Sequence, residues 1–237
     1  TGTDHSPPLT IACLCSKALQ VSRASRERQP RVKSGQNKTA PAVAGEGRPV
    51  LETGSRSPRE ASAGPPPAAV EAVRASLADP AIHEYAGGSG HPDLLKCIAA
   101  KLAGENGIDV TRGSAIMVTA GANMAFMHAV LAISEPGDEI VLPVPFYFNH
   151  EMAIQMAGCM PVRVRTDDRY QLDVDAIRAA LSPRTRAIVT VSPNNPTGAV
   201  YSEAALRSVN ALCQERGLFH ITDEVYEHIV FDGRKHI

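Results

Sequence analysis

Three side chains that can donate, accept or exchange protons follow two apolar runs near the end of the sequence. Asn195 lies in VSPNNPTGAVY, a stretch that contains two asparagines, two prolines, a threonine and a glycine directly after a β-branched run. Asp223 and Tyr226 lie in DEVYEH, which follows the next such run. An amide, a carboxylate and a phenol can bind a polar small molecule and handle its protons. A structural turn is the alternative for each stretch. Asn195 is not a glycosylation acceptor, because Pro196 follows it.

A third stretch could bind an anion. Gly121 in TAGANMAF separates an apolar run from the start of a helical pattern. A helix that begins after a glycine presents free backbone N–H groups and the positive end of its dipole, which favours a phosphate. The glycine could equally serve only to turn the chain.

The elements that must hold these residues alternate between short apolar runs and longer helical patterns. Buried strands are predicted at residues 115–119, 139–143, 161–164, 187–191 and 218–222. Helices are predicted near residues 68–78, 92–106, 122–133, 147–157, 173–181 and 203–216. The last helix has Ser202 as its N-cap and Gly217 at its end. This alternation predicts an α/β fold with three αβα layers around a mainly parallel sheet, in which ligands bind at the carboxyl ends of the strands.

Composition divides the 237 residues into two parts. Residues 1–67 contain ten Lys/Arg against five Asp/Glu and no aromatic residue, since Tyr85 is the first one. We therefore expect residues 1–64 to be a disordered or aberrant segment and residues 65–237 to form a partial cofactor-binding large domain. An organelle transit peptide is a weaker alternative for the first part. The net charge of −1 gives no indication of nucleic acid or membrane binding. Five scattered cysteines suggest a reducing compartment, and we expect a cytoplasmic protein.

Taken together, these stretches resemble the class I/II aminotransferases, which are pyridoxal-phosphate enzymes of fold type I. The resemblance covers roughly residues 65–237 and includes TAGANMA, LPVPFYFNHEMA, SPNNPTG and DEVYEH in the order that the family has them. It implies pyridoxal 5′-phosphate as the cofactor, an amino acid and a 2-oxo acid as substrates, and a homodimer.

The resemblance also implies a role for each matching residue. Asp223 would hold the proton on the ring nitrogen, while Asn195 and Tyr226 would donate to the ring oxygen. Asp223 and Tyr226 would thus be the catalytic residues of this chain. The backbone around Gly121, Ala122 and Asn123 would bind the phosphate.

Two aromatic residues complete the implied site. Tyr147 would stack on the cofactor ring, although Phe146 and Phe148 are its neighbours in PFYFNH. Tyr85, in HEYAGGSGHPDLL, would reach the phosphate bound by the partner subunit. Both tyrosines could instead be ordinary core or interface residues.

The sequence departs from the family pattern in one important respect. The family's Schiff-base lysine should lie roughly 30 residues beyond Tyr226, whereas the sequence ends at Ile237, and Lys235 does not match that position. We therefore expect a truncated product that is inactive by itself. A carbon–sulfur lyase of the same fold and a non-catalytic protein that keeps the cofactor cleft remain alternatives. A metal site at Glu224 and His228 is a minor alternative, and no metal is expected.

Overall fold

The computed structural model describes residues 9–13, 17–23, 65–85, 87–110 and 114–237. The chain divides into two compact units. One unit comprises residues 1–27 and 86–237, and the other comprises residues 28–85. In the described part of the second unit, helix α1 (Pro67–Ser76) has no buried residue, and a short 3-10 helix follows at Pro80–His83.

The first unit contains a seven-stranded sheet. Its strands are β1 (Leu9–Cys13), β2 (Lys17–Arg23), β3 (Val118–Thr119), β4 (Glu139–Val144), β5 (Met160–Arg165), β6 (Thr185–Val191) and β7 (Phe219–Asp223). Their spatial order is β3-β1-β2-β7-β6-β4-β5. β2 runs antiparallel to both β1 and β7, and the four other pairs are parallel. The predicted mainly parallel sheet is therefore confirmed.

Five helices accompany this sheet, and their bounds follow the predicted patterns closely. They are α2 (Pro92–Glu105), α3 (Ala122–Ile133), α4 (Phe148–Met156), α5 (Val174–Ala179) and α6 (Glu203–Arg216). The capping prediction for α6 is confirmed, because Ser202 accepts a hydrogen bond from the Ala205 amide. Gly217 ends the helix in the left-handed conformation that glycine adopts without steric cost.

Two hydrophobic cores lie on opposite faces of the sheet. Ala187 and Val189 of β6 pack with residues of α3 and α4, whereas Ile188 between them packs with residues of α5 and α6. Successive side chains of a strand point to opposite faces, so β6 is covered by helices on both sides. This arrangement is the predicted three-layer α/β fold.

The structure differs from the sequence-based expectation in its N-terminal strands. β1 and β2 lie inside the segment for which composition predicted disorder. The backbone of β1 pairs with β3, and the backbone of β2 pairs with β7. The prediction of disorder considered only local composition, whereas these strands are formed by pairing with distant parts of the chain. The rest of residues 1–64 lies outside the described residues, and the division of the chain at residue 64 stays a prediction.

Candidate active site

A cavity of about 280 Å³ lies where β6 and β7 end. It is lined by Ala122, Asn123, Tyr147, Val191, Asn195, Asp223, Val225 and Tyr226. We call it the Asp223 cavity. β6 and β7 are parallel neighbours with Val191 opposite Asp223, so the loops that follow them begin side by side. Sequence analysis selected six of the lining residues, and the sheet topology brings these six together.

Asp223 is the last residue of β7, and its carboxylate is held from two sides. Oδ1 accepts a hydrogen bond from the Val225 amide at 3.1 Å. Oδ2 lies 3.1 Å from Nε2 of His150 on α4. This contact is a hydrogen bond when Nε2 carries the proton. Only 6% of Asp223 is exposed, so these two contacts fix the direction of the carboxylate within the cavity wall.

His150, which contacts Asp223, is the candidate site residue that sequence reasoning missed. It is 2% exposed, and its ring stacks at a tilt on Phe126 with 4.2 Å between centroids. Its buried Nδ1 has no hydrogen-bond partner among the described residues. Burying Nδ1 without a partner costs free energy. The bond between Nε2 and Asp223 therefore indicates why a histidine occupies this buried position. The available signal was its spacing, because His150 lies one helical turn after Tyr147.

The turn after β6 is built around Asn194. The Asn194 side-chain oxygen accepts hydrogen bonds from both the amide and the hydroxyl of Thr197. Its amide nitrogen donates to the Pro145 carbonyl and to the Tyr201 hydroxyl. The neighbouring Asn195 is therefore presented on a rigid loop. Its Nδ2 lies 3.5 Å from the Tyr226 hydroxyl, so two donors meet at one point of the cavity.

The start of α3 supplies an anion-binding edge. Gly121 is the N-cap residue with φ +90° and ψ 161°, a conformation that is essentially restricted to glycine. Among the residues that the structure describes, no side chain caps this helix end. The backbone at Ala122 and Asn123, which lines the cavity, can therefore bind a negatively charged group.

The structure distinguishes among the three consecutive aromatic residues. Phe146 packs against the core that α3 and α4 share, and Phe148 is 63% exposed. Tyr147 lines the cavity, and its hydroxyl accepts a hydrogen bond from Asn149 at 2.7 Å. Tyr147 is thus the residue of the three that lines the cavity.

The remaining sequence candidates lie elsewhere. Tyr85 is fully exposed and belongs to the other compact unit, so its predicted role stays a prediction. His228 does not pair with Glu224 as the minor metal alternative required. Its Nε2 lies 3.5 Å from Glu227 and 3.8 Å from Glu105.

Polar groups also lie on the opposite face of the sheet. Thr190, Ser192, His220, Thr222 and Glu224 line a second cavity of about 470 Å³ there. Burial raises the pKa of Glu224 to about 7, and the neighbouring charge of Glu227 adds to this effect. Burial lowers the pKa of His220 to about 4. Because Glu224 and Asp223 are consecutive, the two cavities lie back to back.

The donor set of the Asp223 cavity fits pyridoxal phosphate. A fixed carboxylate suits a protonated ring nitrogen, paired amide and phenol donors suit a ring oxygen, and a free helix start suits a phosphate. The fold and the cavity together define an α/β protein with a candidate small-molecule site at the carboxyl ends of its parallel strands.

The chain belongs to the class I and II aminotransferase family, whose model matches residues 51–237. It is 36% identical to the aspartate aminotransferase of Streptomyces avermitilis over 194 residues, which are 81% of this chain and 47% of that protein. A probable N-succinyldiaminopimelate aminotransferase of Mycobacterium tuberculosis is 40% identical over 73% of this chain and 44% of its own length.

Solved structures agree with this assignment. The M. tuberculosis N-succinyldiaminopimelate aminotransferase has a TM-score of 0.68, with 73% of this chain and 45% of that chain covered at 40% identity. An aspartate aminotransferase mutant of Thermus thermophilus has a TM-score of 0.64 over the same shares of the two chains, at 32% identity. The chain thus spans a little under half the length of these relatives. Among the described residues, no helix has the length and apolar character needed to cross a membrane.

Proposed function

We propose that this chain contributes the cofactor-binding part of a pyridoxal-phosphate-dependent aminotransferase, which transfers an amino group between an amino acid and a 2-oxo acid. The observation that carries this proposal is the buried Asp223 carboxylate, which is fixed by His150 and lines a cavity with Asn195 and Tyr226. Family membership supports the same reaction class.

Each cavity residue has one task in this proposal. Asp223 holds a proton on the ring nitrogen, because an ionised carboxylate stabilises a neighbouring cation. Asn195 and Tyr226 donate to the ring oxygen and favour its ionised form. The bound cofactor supplies an electron sink when the bond to a substrate proton breaks.

Two further groups position the ligand. The N–H groups at the start of α3 bind the phosphate, and they use the partial positive charge of the helix terminus. The Tyr147 ring packs against a planar ligand and excludes water from that side of the cavity. Neither group exchanges protons with the substrate, so their contribution is to binding and orientation.

We also propose a cytoplasmic homodimer. Cys97, Cys159 and Cys213 are free thiols, which supports a reducing compartment. The homodimer follows from the family resemblance, with Tyr85 contributing to the phosphate site of the partner subunit.

Titration with pyridoxamine 5′-phosphate tests the proposal, because this probe has the ring and phosphate and needs no lysine. The ring-nitrogen pKa of the bound probe is followed by ¹⁵N NMR. We expect Asp223→Ala to lower that pKa by at least about one unit, a tenfold change in the protonation equilibrium. Asn195→Ala should act more weakly, since Tyr226 still donates to the ring oxygen.

Asp168→Ala is the matched control, because Asp168 is an exposed carboxylate in the turn after β5. It should leave both affinity and ring pKa unchanged. A probe methylated on the ring nitrogen carries a permanent positive charge and should lose less affinity in Asp223→Ala. Equal effects of all three substitutions, or no binding by the unaltered chain, would contradict the proposed function.

A further inference from the structure

The residue that follows Tyr226, Glu227, belongs to a cluster of three hydrogen-bonded side chains. The Lys101 amine on α2 donates to both oxygens of Glu227, at 2.6 and 2.7 Å. Asn106, just after the same helix, donates to Oε2 of Glu227 at 3.0 Å and accepts from Lys101 at 2.8 Å. We call these three residues the Glu227 cluster. Each member bonds to the other two, so the geometry of the cluster is fixed.

Glu227 is a buried charge that depends on this cluster. Its side chain is 5% exposed. Burial opposes its ionisation, but the hydrogen bonds from Lys101 and Asn106 outweigh that effect and hold its pKa below the ordinary value. A buried carboxylate that has lost its partners is very unfavourable. Breaking these hydrogen bonds would therefore leave Glu227 as a buried and poorly paired charge, so the cluster holds Glu227 in place.

The backbone connects Glu227 directly to the cavity. Tyr226 precedes it in a turn that is closed by hydrogen bonds from the Glu227 amide to the Glu224 carbonyl at 3.0 Å and from the Ile229 amide to the Tyr226 carbonyl at 2.7 Å. Tyr226 lines the Asp223 cavity, whereas the three cluster residues are absent from its described lining. Fixing Glu227 thus fixes the turn that carries Tyr226.

A small shift of this turn would matter. The Tyr226 hydroxyl and Asn195 Nδ2 are 3.5 Å apart, at the outer limit of a hydrogen bond. Two donors can serve one ligand oxygen only while both lie within reach of it. A displacement of the Tyr226 hydroxyl away from Asn195 would lengthen and weaken one of the two bonds to that oxygen.

We propose that Lys101, Asn106 and Glu227 are positioning residues that hold the Tyr226 hydroxyl beside Asn195, so that both can donate to the ring oxygen of the ligand. The inference rests on the proposed function for the identity of that ligand. The inference gives helix α2 a role in positioning Tyr226, although no residue of α2 belongs to the described lining of the cavity.

The first measurement uses the ligand-free chain. With ζ-¹³C-tyrosine incorporated, Tyr226→Phe identifies the Tyr226 signal among the five tyrosines. We expect Glu227→Ala to shift this signal while the backbone amide spectrum of the sheet is retained. Glu227→Ala does not leave Lys101 as a buried unpaired charge. The Lys101 side chain is 25% exposed, and its amine lies 3.8 Å from the Glu105 carboxylate.

The second measurement uses bound pyridoxamine 5′-phosphate, with absorbance reporting ionisation of its ring hydroxyl. Losing one of the two donors should raise the pKa of this ring hydroxyl by about one unit. Glu227→Ala and Lys101→Met should both do this, and Lys101→Arg should restore part of the change. When Tyr226 is already replaced by phenylalanine, Glu227→Ala should cause no further rise in the pKa of the ring hydroxyl, because the cluster acts through the Tyr226 hydroxyl.

Lys96→Met is the matched control, since Lys96 lies on the same helix and pairs with Asp93 while 77% exposed. It should leave both measurements unchanged. An unshifted Tyr226 signal in folded Glu227→Ala, or an equal pH shift in the Tyr226→Phe background, would overturn the inference alone. A failure of the unaltered chain to bind the probe would overturn the proposed function, and with it the role of the cluster in ligand binding.

Discussion

At the residue scale, the environment of Asp223 explains how a buried carboxylate can stay fixed in the wall of the cavity. His150 reaches it from α4 and is itself enclosed by Phe126 and Tyr147. The histidine has one nitrogen bonded to Asp223 and one buried without a described partner. Its contribution is therefore to the orientation of Asp223 more than to stability.

His150→Phe separates these two contributions. Phenylalanine keeps the stacking on Phe126 and removes the unpaired nitrogen, but it leaves Asp223 Oδ2 without its donor. The opposing effects should keep the free energy of unfolding within about 1 kcal/mol of the unaltered chain, as measured by urea denaturation. Affinity for pyridoxamine 5′-phosphate should nevertheless fall about tenfold.

His128→Phe is the control for this change, since His128 is an exposed residue of α3. It should alter neither property. A large loss of stability without a loss of affinity in His150→Phe would show that the histidine is mainly structural.

At the element scale, the turn after β6 joins three elements through one side chain. Asn194 is 4% exposed and contacts Thr197 within the turn, Tyr201 just before α6 and the Pro145 carbonyl just after β4. Alanine would remove a partner from the buried Tyr201 hydroxyl and from the part-buried groups of Thr197 and Pro145.

Asn194→Ala should accordingly lower the free energy of unfolding by about 2–3 kcal/mol. Asn195→Ala offers a matched comparison at the next position, because the Asn195 side chain makes a long contact of 3.5 Å with the Tyr226 hydroxyl. The expected loss there is below about 1 kcal/mol. Thermal and urea unfolding of the two variants test the difference, and equal losses would contradict the assignment of Asn194 as the residue that holds the turn.

At the scale of the whole molecule, two buried groups give opposite pH dependences. The pKa of Glu224 rises from 4.5 to about 7 on folding, so folding binds a proton and stability falls as pH rises through this range. The pKa of His220 falls from 6.5 to about 4, so stability falls as pH decreases through that range. Between about pH 4.5 and 6.5 the two slopes cancel.

Glu224→Gln should leave His220 as the group that sets the pH dependence of stability in this range. Relative to the unaltered chain, its free energy of unfolding should rise by about 1.4 kcal/mol per pH unit between pH 4.5 and 7, or on the order of 3 kcal/mol in all. His220→Gln should show the opposite difference, losing its acid sensitivity between pH 6.5 and 4. Urea denaturation at a series of pH values measures both. Parallel profiles for the variants and the unaltered chain would refute the assignment.

The sequence by itself determined the alternation of elements and most of the site. Short β-branched runs and capped amphipathic patterns are local signals, which is why α6 was predicted with both of its caps. Asn195, Asp223 and Tyr226 were also predictable as neighbours. Each follows a buried strand, and parallel strands bring their carboxyl ends to one edge of a sheet.

Only the tertiary structure decided which residues support that site. His150 and Asp223 are separated by 73 positions, and Lys101 and Glu227 by 126. These contacts depend on how α4 and α2 are rotated and packed against the rest of the unit, which local periodicity does not specify. The same holds for β1 and β2, whose runs gain their strand partners from β3 and β7. Local propensity determines where an element begins and ends, whereas long-range packing determines which buried polar groups find partners, because those partners come from distant parts of the chain.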